Sequence, residues 1–377
     1  MEIAVLKKIW LSPPHMGGNE EVYVKEAFDT NWIAPLGPNV QNFERAIEDY
    51  IKNDIHTACL SSGTAAIHLA LELLGVSQGD EVICQSFTFA ASANPITYLG
   101  ASPVFVDSER ETWNISPDLL EEAIKDRLAK GKKPKAIIAV HLYGMPYKVN
   151  EIRAISEKYD IPVIEDSAEA LGSIYNGQKC GSFGELAILS FNGNKIITTS
   201  GGGALLTRDE SLKERAIFLA TQARDNAPHY QHSNIGYNYR MSNVLAGIGR
   251  GQMEVLPKRV LARRNNFSFY KENLAGISEI EFIDEPKGSY SNRWLTCILT
   301  PSFEFRERIR IALEEENIES RPLWKPMHLQ PIFEGGTHYA NGVSEDLFNR
   351  GLCLPSGSSM IQEDLERICD IIKNLHK

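Results

Sequence analysis

The chain has 377 residues, 39 Lys and Arg against 49 Asp and Glu, and a formal net charge of −10. Backbone phosphates are held by clustered cations, so this balance excludes a general nucleic-acid binder but leaves room for one phosphorylated small molecule in a local pocket. Apolar residues make up 43% and charged residues 23%, an ordinary globular balance, and no stretch is long and apolar enough to span a bilayer. The N-terminus, "MEIAVLKKIWLSPPH", puts a short apolar piece before its lysines, the reverse of a secretory leader. Six scattered cysteines form no CxxC pair, which suits reduced thiols. A cytoplasmic protein without a metal site is expected.

In chain order, "HTACL" reads as a buried strand and "TAAIHLALELLG" as an apolar helix ending at Gly75. "DEVICQ" is a strand, "SANPITYLG" a short helix and "SPVFVD" a strand. "SPDLLEEAIKDRLAKG" is a helix, with Ser116 as N-cap and Pro117 in its first turn. "KAIIAVHLYG", "KVNEIRAISEKY" and "IPVIED" read as strand, helix and strand, and "GELAILSF" and "GGGALLT" as two more strands. Short Val/Ile-rich strands alternating with longer helices predict a mostly parallel sheet flanked by helices. From Asn243 a long helical stretch follows, which Gly247, Gly249 and Pro257 are expected to bend or interrupt. Beyond it lie a strand in "NRWLTCILT" and helices in "FEFRERIRIALEEENI" and "QEDLERICDIIKNLHK". The expected division is an N-terminal segment 1–30, a large α/β domain 31–250 and a smaller α+β domain 251–377.

Ligands of open α/β sheets bind beyond the carboxyl ends of the strands, and four features fall there. In "SSGTAAIHLAL", Ser61, Ser62, Gly63 and Thr64 lead a strand into a helix, whose N-terminus favours an anion. The same residues serve equally as ordinary capping. In "VIEDSAEALGS", Glu165 and Asp166 end an apolar strand; a carboxylate there caps the next turn or holds a cationic ring nitrogen. Lys195 follows 29 positions after Asp166 (195 − 166), beside Thr198, Thr199, Ser200 and three glycines. A buried lysine that loses its proton becomes a nucleophile toward an aldehyde. In "QSFTFAASAN", Phe87 and Phe89 lie just past a strand, either in the core or over an aromatic ring. A phosphate cradle, a ring cover, an acid and a lysine together are what pyridoxal phosphate requires.

These motifs, with "SFNGNKIITTSGGGAL" and "IGYNYRMSNVLAGIGRGQ", resemble the successive signatures of the DegT/StrS-type sugar aminotransferases, fold-type-I pyridoxal-phosphate enzymes. The resemblance runs from "GNEEVYVKEAFDTNWIAPLGPNVQNFE" to "RPLWKPMHLQPIF". It implies that Lys195 carries the cofactor as a Schiff base, Asp166 pairs with the pyridine nitrogen and Phe89 stacks on the ring. It further implies that Gly63, Thr64 and Ser190 hold the phosphate. Asn238 would reach the same phosphate from a neighbouring subunit of a homodimer with shared sites. Lys195 would also move the proton in a ping-pong exchange with L-glutamate.

One position departs from the pattern. Glu169 stands where many members carry the Gln or His that contacts the ring oxygen, and a carboxylate there must be protonated or repel the phenolate. Members of the subset acting on bacillosamine-type sugars share this Glu and resemble "SPPHMGGNE…FDTNWIAPLGPNV". The resemblance therefore implies a UDP-4-keto-6-deoxy-N-acetylhexosamine acceptor aminated at carbon 4 for surface glycans. A dTDP or GDP keto sugar is the alternative. A sugar dehydratase, whose members carry His in place of the lysine, and a non-catalytic regulatory relative are the rival readings. The acceptor's diphosphate needs cations; Arg224, His229, His232, Arg321 and Lys325 are candidates, and Trp32 and Trp324 are candidates for ring contacts.

Overall fold

The computed structural model describes residues 7–376. Met1–Leu6, the apolar piece of the reversed leader pattern, lies outside the described residues. Seven strands expected from the sequence and one short unexpected strand, His338–Tyr339, form one eight-stranded sheet. They are β1 (His56–Leu60), β2 (Glu81–Gln85), β3 (Ser102–Val106), β4 (Ala136–Val140), β5 (Val163–Asp166), β6 (Leu186–Ser190), β7 (Gly203–Thr207) and the short β8 (His338–Tyr339). Their spatial order is β1-β7-β6-β5-β4-β2-β3-β8. All pairings from β6 through to β8 are parallel, and β7 runs antiparallel to both β1 and β6.

Eight helices cover or approach this sheet: α1 (Glu20–Asp29), α2 (Pro38–Ile51), α3 (Gly63–Leu73), α4 (Ala90–Tyr98), α5 (Pro117–Ala129), α6 (Val149–Tyr159), α7 (Glu210–Ala220) and α8 (Asn243–Asn273). Strand alternation sorts the core into two layers. Leu60, Cys84, Ile138, Ile164, Ile188 and Leu205 share one apolar cluster with α3, α4 and α7. On the opposite face, Ile83, Val104, Ile137 and Val163 pack with α5 and α6, and Cys59, Leu189 and Leu206 pack with α2 and α8. Ser116 caps α5, accepting the Leu119 N–H, with Pro117 as its first residue.

The predicted break in the long helix does not occur: α8 is continuous over 31 residues, capped by Ser242. Its glycines are contact points, because a Cβ at Gly249 would lie 2.6 Å from the Phe43 ring and one at Gly251 2.7 Å from the Glu20 backbone nitrogen. They let α2 and α1 cross α8 closely. Pro257 forfeits one helical hydrogen bond, a loss opposed by Leu256 and Val260 packing beside Phe43 and Ile47.

The C-terminal part adds a four-stranded sheet of Glu281–Phe282, Thr296–Leu299, Gly351–Leu354 and Arg321–Pro322, backed by helices Phe303–Glu315 and Gln362–His376. The 250/251 division falls inside α8, Ile9 joins the C-terminal core, and β8 extends the large sheet. The chain thus crosses between the two parts several times, and those crossings frame the site. Among the described residues no helix is long and apolar enough to cross a membrane.

Candidate active site

Asp166 ends β5 and Ser190 ends β6, each in register with the residues that face α3 and α4 (Ile164, and Leu186 with Ile188). The same alternation sends Glu165 to the other face. Both Asp166 and Ser190 therefore open onto the N-terminus of α3. Ser62 caps this helix, its Oγ accepting the Ala65 N–H at 3.0 Å. The N–H groups of Gly63 and Thr64 have no acceptor among the described residues. A Cβ at Gly203 would sit 2.4 Å from the Gly63 nitrogen, so only glycine lets β7 pass this turn. Free N–H groups at a helix start are an anion site.

Asp166 is buried, with one oxygen accepting the Ser92 hydroxyl at 2.7 Å and the other the Ala168 N–H at 3.1 Å. Lys195 follows a turn in which its N–H bonds to the Asn192 carbonyl. Its ammonium lies 4.2 Å from the centre of the Trp294 ring and 3.4 Å from Glu169 Oε1. The other Glu169 oxygen accepts the Tyr143 N–H at 2.6 Å. Burial pushes the Glu169 carboxyl up to about 7; Lys195 and the Tyr143 N–H pull it down and Asp166 adds to the rise. Phe89 immediately precedes α4, is 56% exposed and packs against Trp324, whereas Phe87 is fully buried in the core. Ser61–Thr64, Phe89, Asp166, Glu169, Ser190 and Lys195 all line one cavity of about 270 Å³. A second, outer cleft of about 440 Å³ shares Phe89, Asn194, Trp294 and Trp324 with it and adds Trp10, Glu319 and Arg321.

Glu165, on the far face, has a different role. It accepts His141 Nε2, the Ser167 hydroxyl and the N–H groups of Gly181, Phe183 and Gly184, at 2.6–3.1 Å. Burial alone would raise its carboxyl, and the His141 bond with those N–H groups outweighs burial and holds it low. His141 Nδ1 meanwhile accepts the Tyr147 N–H at 3.1 Å. His141, Glu165 and Cys180 are close enough to suggest metal ligands, but the His and Glu donor atoms are already spent on these hydrogen bonds.

The substrate candidates divide. Arg321 and Trp324 line the outer cleft, and Glu319 fixes Arg321 through bonds of 2.7 and 2.9 Å. Trp32, Arg224, His229, His232 and Lys325 line neither cavity. Arg224 rests on Tyr230, and His232 bonds to the Gln222 carbonyl. Asn238 is exposed and lines neither cavity, although its neighbour Tyr239 accepts the Ser61 N–H at 2.7 Å. Thr198 and Thr199 bond within their own loop, whereas Gly201 and Gly202 line the inner cavity. Sequence reasoning missed Ser92, Asn194, Trp10 and Trp294. Trp294 sits in "NRWLTCILT", where the pattern signals only a strand, although a tryptophan behind "RW" was the available clue.

Residues 14–373 match the DegT/DnrJ/EryC1/StrS aminotransferase family. The chain belongs to this family. EpsN of Bacillus subtilis (strain 168), assigned as a pyridoxal phosphate-dependent aminotransferase, is 52% identical over 373 residues, covering 98% of this chain and 96% of EpsN. GDP-perosamine synthase of Escherichia coli O157:H7 is 38% identical over 372 residues, covering 98% and 99%. The PLP form of Spr1654 from Streptococcus pneumoniae, assigned as a sugar aminotransferase, superposes with a TM-score of 0.90 at 28% identity, over 98% of this chain and 99% of that one. This DegT-family chain is a sugar aminotransferase that uses pyridoxal phosphate and small-molecule substrates.

Proposed function

We propose that the inner cavity holds pyridoxal phosphate and serves transfer of an amino group from L-glutamate to the 4-keto carbon of a nucleotide-linked 4-keto-6-deoxy sugar, for surface glycan synthesis. The observation that carries this reading is one cavity lined by the open N-terminus of α3, Ser190, Asp166 and Lys195. These residues fit the cofactor. Gly63 and Thr64 offer N–H groups and Ser190 a hydroxyl to its phosphate, Asp166 a carboxylate to its ring nitrogen, and Phe89 an aromatic face. When bound, the cofactor supplies an aldehyde and an electron-withdrawing ring. Lys195 is the nucleophile toward that aldehyde. Once released, it takes the proton from the α-carbon of the amino donor and delivers a proton to carbon 4 of the acceptor. Trp294 lies against Lys195 and limits water at its amine.

The outer cleft suits the acceptor: Trp10 and Trp324 offer ring faces and Arg321 a guanidinium for a diphosphate. The Glu169 subset and the N-terminal motif favour a UDP sugar. The GDP-perosamine synthase relatives favour a GDP sugar, which is the second reading. The exposed side chains of Phe28, Leu36 and Ile235 support a homodimer in which Asn238 of a neighbouring copy completes the phosphate site.

In the test, borohydride reduction of the loaded protein should leave the cofactor's mass on the peptide containing Lys195. A panel of UDP, GDP and dTDP keto sugars with glutamate, read by product mass and NMR, then decides the acceptor. Label on another lysine sinks the Lys195 assignment, and no amination of any keto sugar sinks the acceptor class.

A further inference from the structure

Glu169 is the residue that the family pattern left without a role. Its carboxyl is buried, with one donor facing each oxygen. Tyr143 donates its N–H to one oxygen, and to do so it holds φ at 53°, a left-handed conformation costly for a bulky side chain. That conformation is over-determined, because the Tyr143 hydroxyl accepts the Trp324 N–H at 3.0 Å and its ring stacks near Trp294. Asn292 holds the Glu169 carbonyl at 2.8 Å. The titratable groups facing the carboxyl are Lys195, Asp166, the Tyr143 phenol and the Cys297 thiol. Of these, Lys195 alone is a cation, 3.4 Å from the second oxygen.

We propose that Glu169 is the proton partner of Lys195, taking a proton from its ammonium when a free amine is needed and returning it afterwards. The inference rests on the reading of Lys195 as the cofactor-bearing lysine. In the step, Nζ loses a proton and its positive charge, and one Glu169 oxygen gains the proton and loses its negative charge. No oxidant or reductant enters and net charge is unchanged. Burial has moved the carboxyl up to about 7, so near neutral pH it can both accept and release a proton, the condition for efficient acid–base work. The glutamine common at this position can take up no proton. With one oxygen on Tyr143 and the other toward Lys195, the carboxyl is aimed at the amine, which resolves the conflict of a carboxylate beside a phenolate.

The test uses the cofactor-free chain. Trace acetylation of Lys195 across pH, read by peptide mass spectrometry, gives its titration midpoint. Glu169→Gln should lower that midpoint by about one pH unit or more, since an opposite charge at this distance favours the ammonium. Glu169→Asp, which keeps the carboxyl, should fall between, and it decides the matter if the glutamine variant does not fold. The rate of pyridoxal 5'-phosphate capture per free amine is the absorbance rate divided by the amine fraction from the acetylation titration. It should drop on the order of 10²-fold in Glu169→Gln, because the nitrogen then has no carboxylate to take its proton. Added formate should restore part of the rate in Glu169→Ala. An unmoved Lys195 midpoint, or wild-type capture by Glu169→Gln, overturns the proposal. If the wild-type chain itself captures no cofactor on Lys195, the underlying reading fails instead.

Discussion

Glu165 and Glu169 lie four positions apart, both buried, and the fold treats them in opposite ways. Glu165 receives five hydrogen bonds and is held low. Glu169 receives one N–H and one distant ammonium and is pushed up to about 7. The first is a structural anion, with its charge matched by donors that cannot leave. The second is under-satisfied beside a reactive amine, and a group in that condition can change protonation state at modest cost. Between them in the chain, Asp166 accepts two uncharged donors and faces the cavity. Counting donors on buried carboxylates thus separates scaffold from chemistry along a single stretch of chain.

The largest effect on the reactive side is Lys195→Ala. Turnover of glutamate with a keto sugar should fall by about 10²–10⁴-fold or more, measured by product formation. On the scaffold side, Glu165→Ala should leave activity per folded molecule intact but strand five buried donors. The cost is on the order of 4 kcal/mol, read from urea unfolding. If Glu165→Ala is stable and inactive, the contrast between the two carboxylates is wrong.

Glu169→Gln gives the next contrast, as a pH slope. In wild type the folded carboxyl binds its proton more tightly than the unfolded one. Its contribution to stability is complete below the ordinary carboxylate range near 4.5 and is lost as pH rises through about 7. The difference is on the order of 3 kcal/mol. The glutamine variant lacks this slope, so relative to wild type it should gain about that much in urea unfolding between pH 5 and pH 8. For Glu165 the sign reverses: its carboxyl is held low, so its contribution is present above the ordinary range and is lost as acid protonates it.

Much of this contrast was legible before any coordinates. Strand alternation puts Asp166 and Ser190 on one face and Glu165 on the other, and strand-end position brings Gly63, Thr64 and Phe89 to the same crevice. Chemistry needing four residue types at once narrows the possibilities further. What could not be read was pairing across distance. Trp294 meets Lys195 from 99 positions away (294 − 195), and nothing local to "NRWLTCILT" records it. The glycines of α8 were read as breakers because their propensity is local, whereas their reason, contact with Phe43 and Glu20, is not. Arg224, His232 and Lys325 were read as cations for a diphosphate, and within one chain they line neither cavity.

The smallest effect tests the third carboxylate, Asp166. Ser92 has a single hydroxyl proton, and Asp166 accepts it at 2.7 Å, so the 2.8 Å contact between Ser92 and Thr88 must be Thr88 donating. A short relay of hydroxyls thus orients Asp166 toward the ring nitrogen it is proposed to hold. Ser92→Ala leaves Asp166 only the Ala168 N–H and leaves the Thr88 hydroxyl without an acceptor. Cofactor affinity should weaken about tenfold, or about 1.4 kcal/mol, measured by equilibrium titration of the cofactor-free chain. Ser167→Ala is the matched control, since Ser167 gives the same kind of bond to Glu165 on the opposite face. It should cost about 1 kcal/mol of stability and leave cofactor affinity unchanged. Equal effects of the two substitutions on cofactor binding would mean that strand alternation does not insulate the scaffold face from the reactive one.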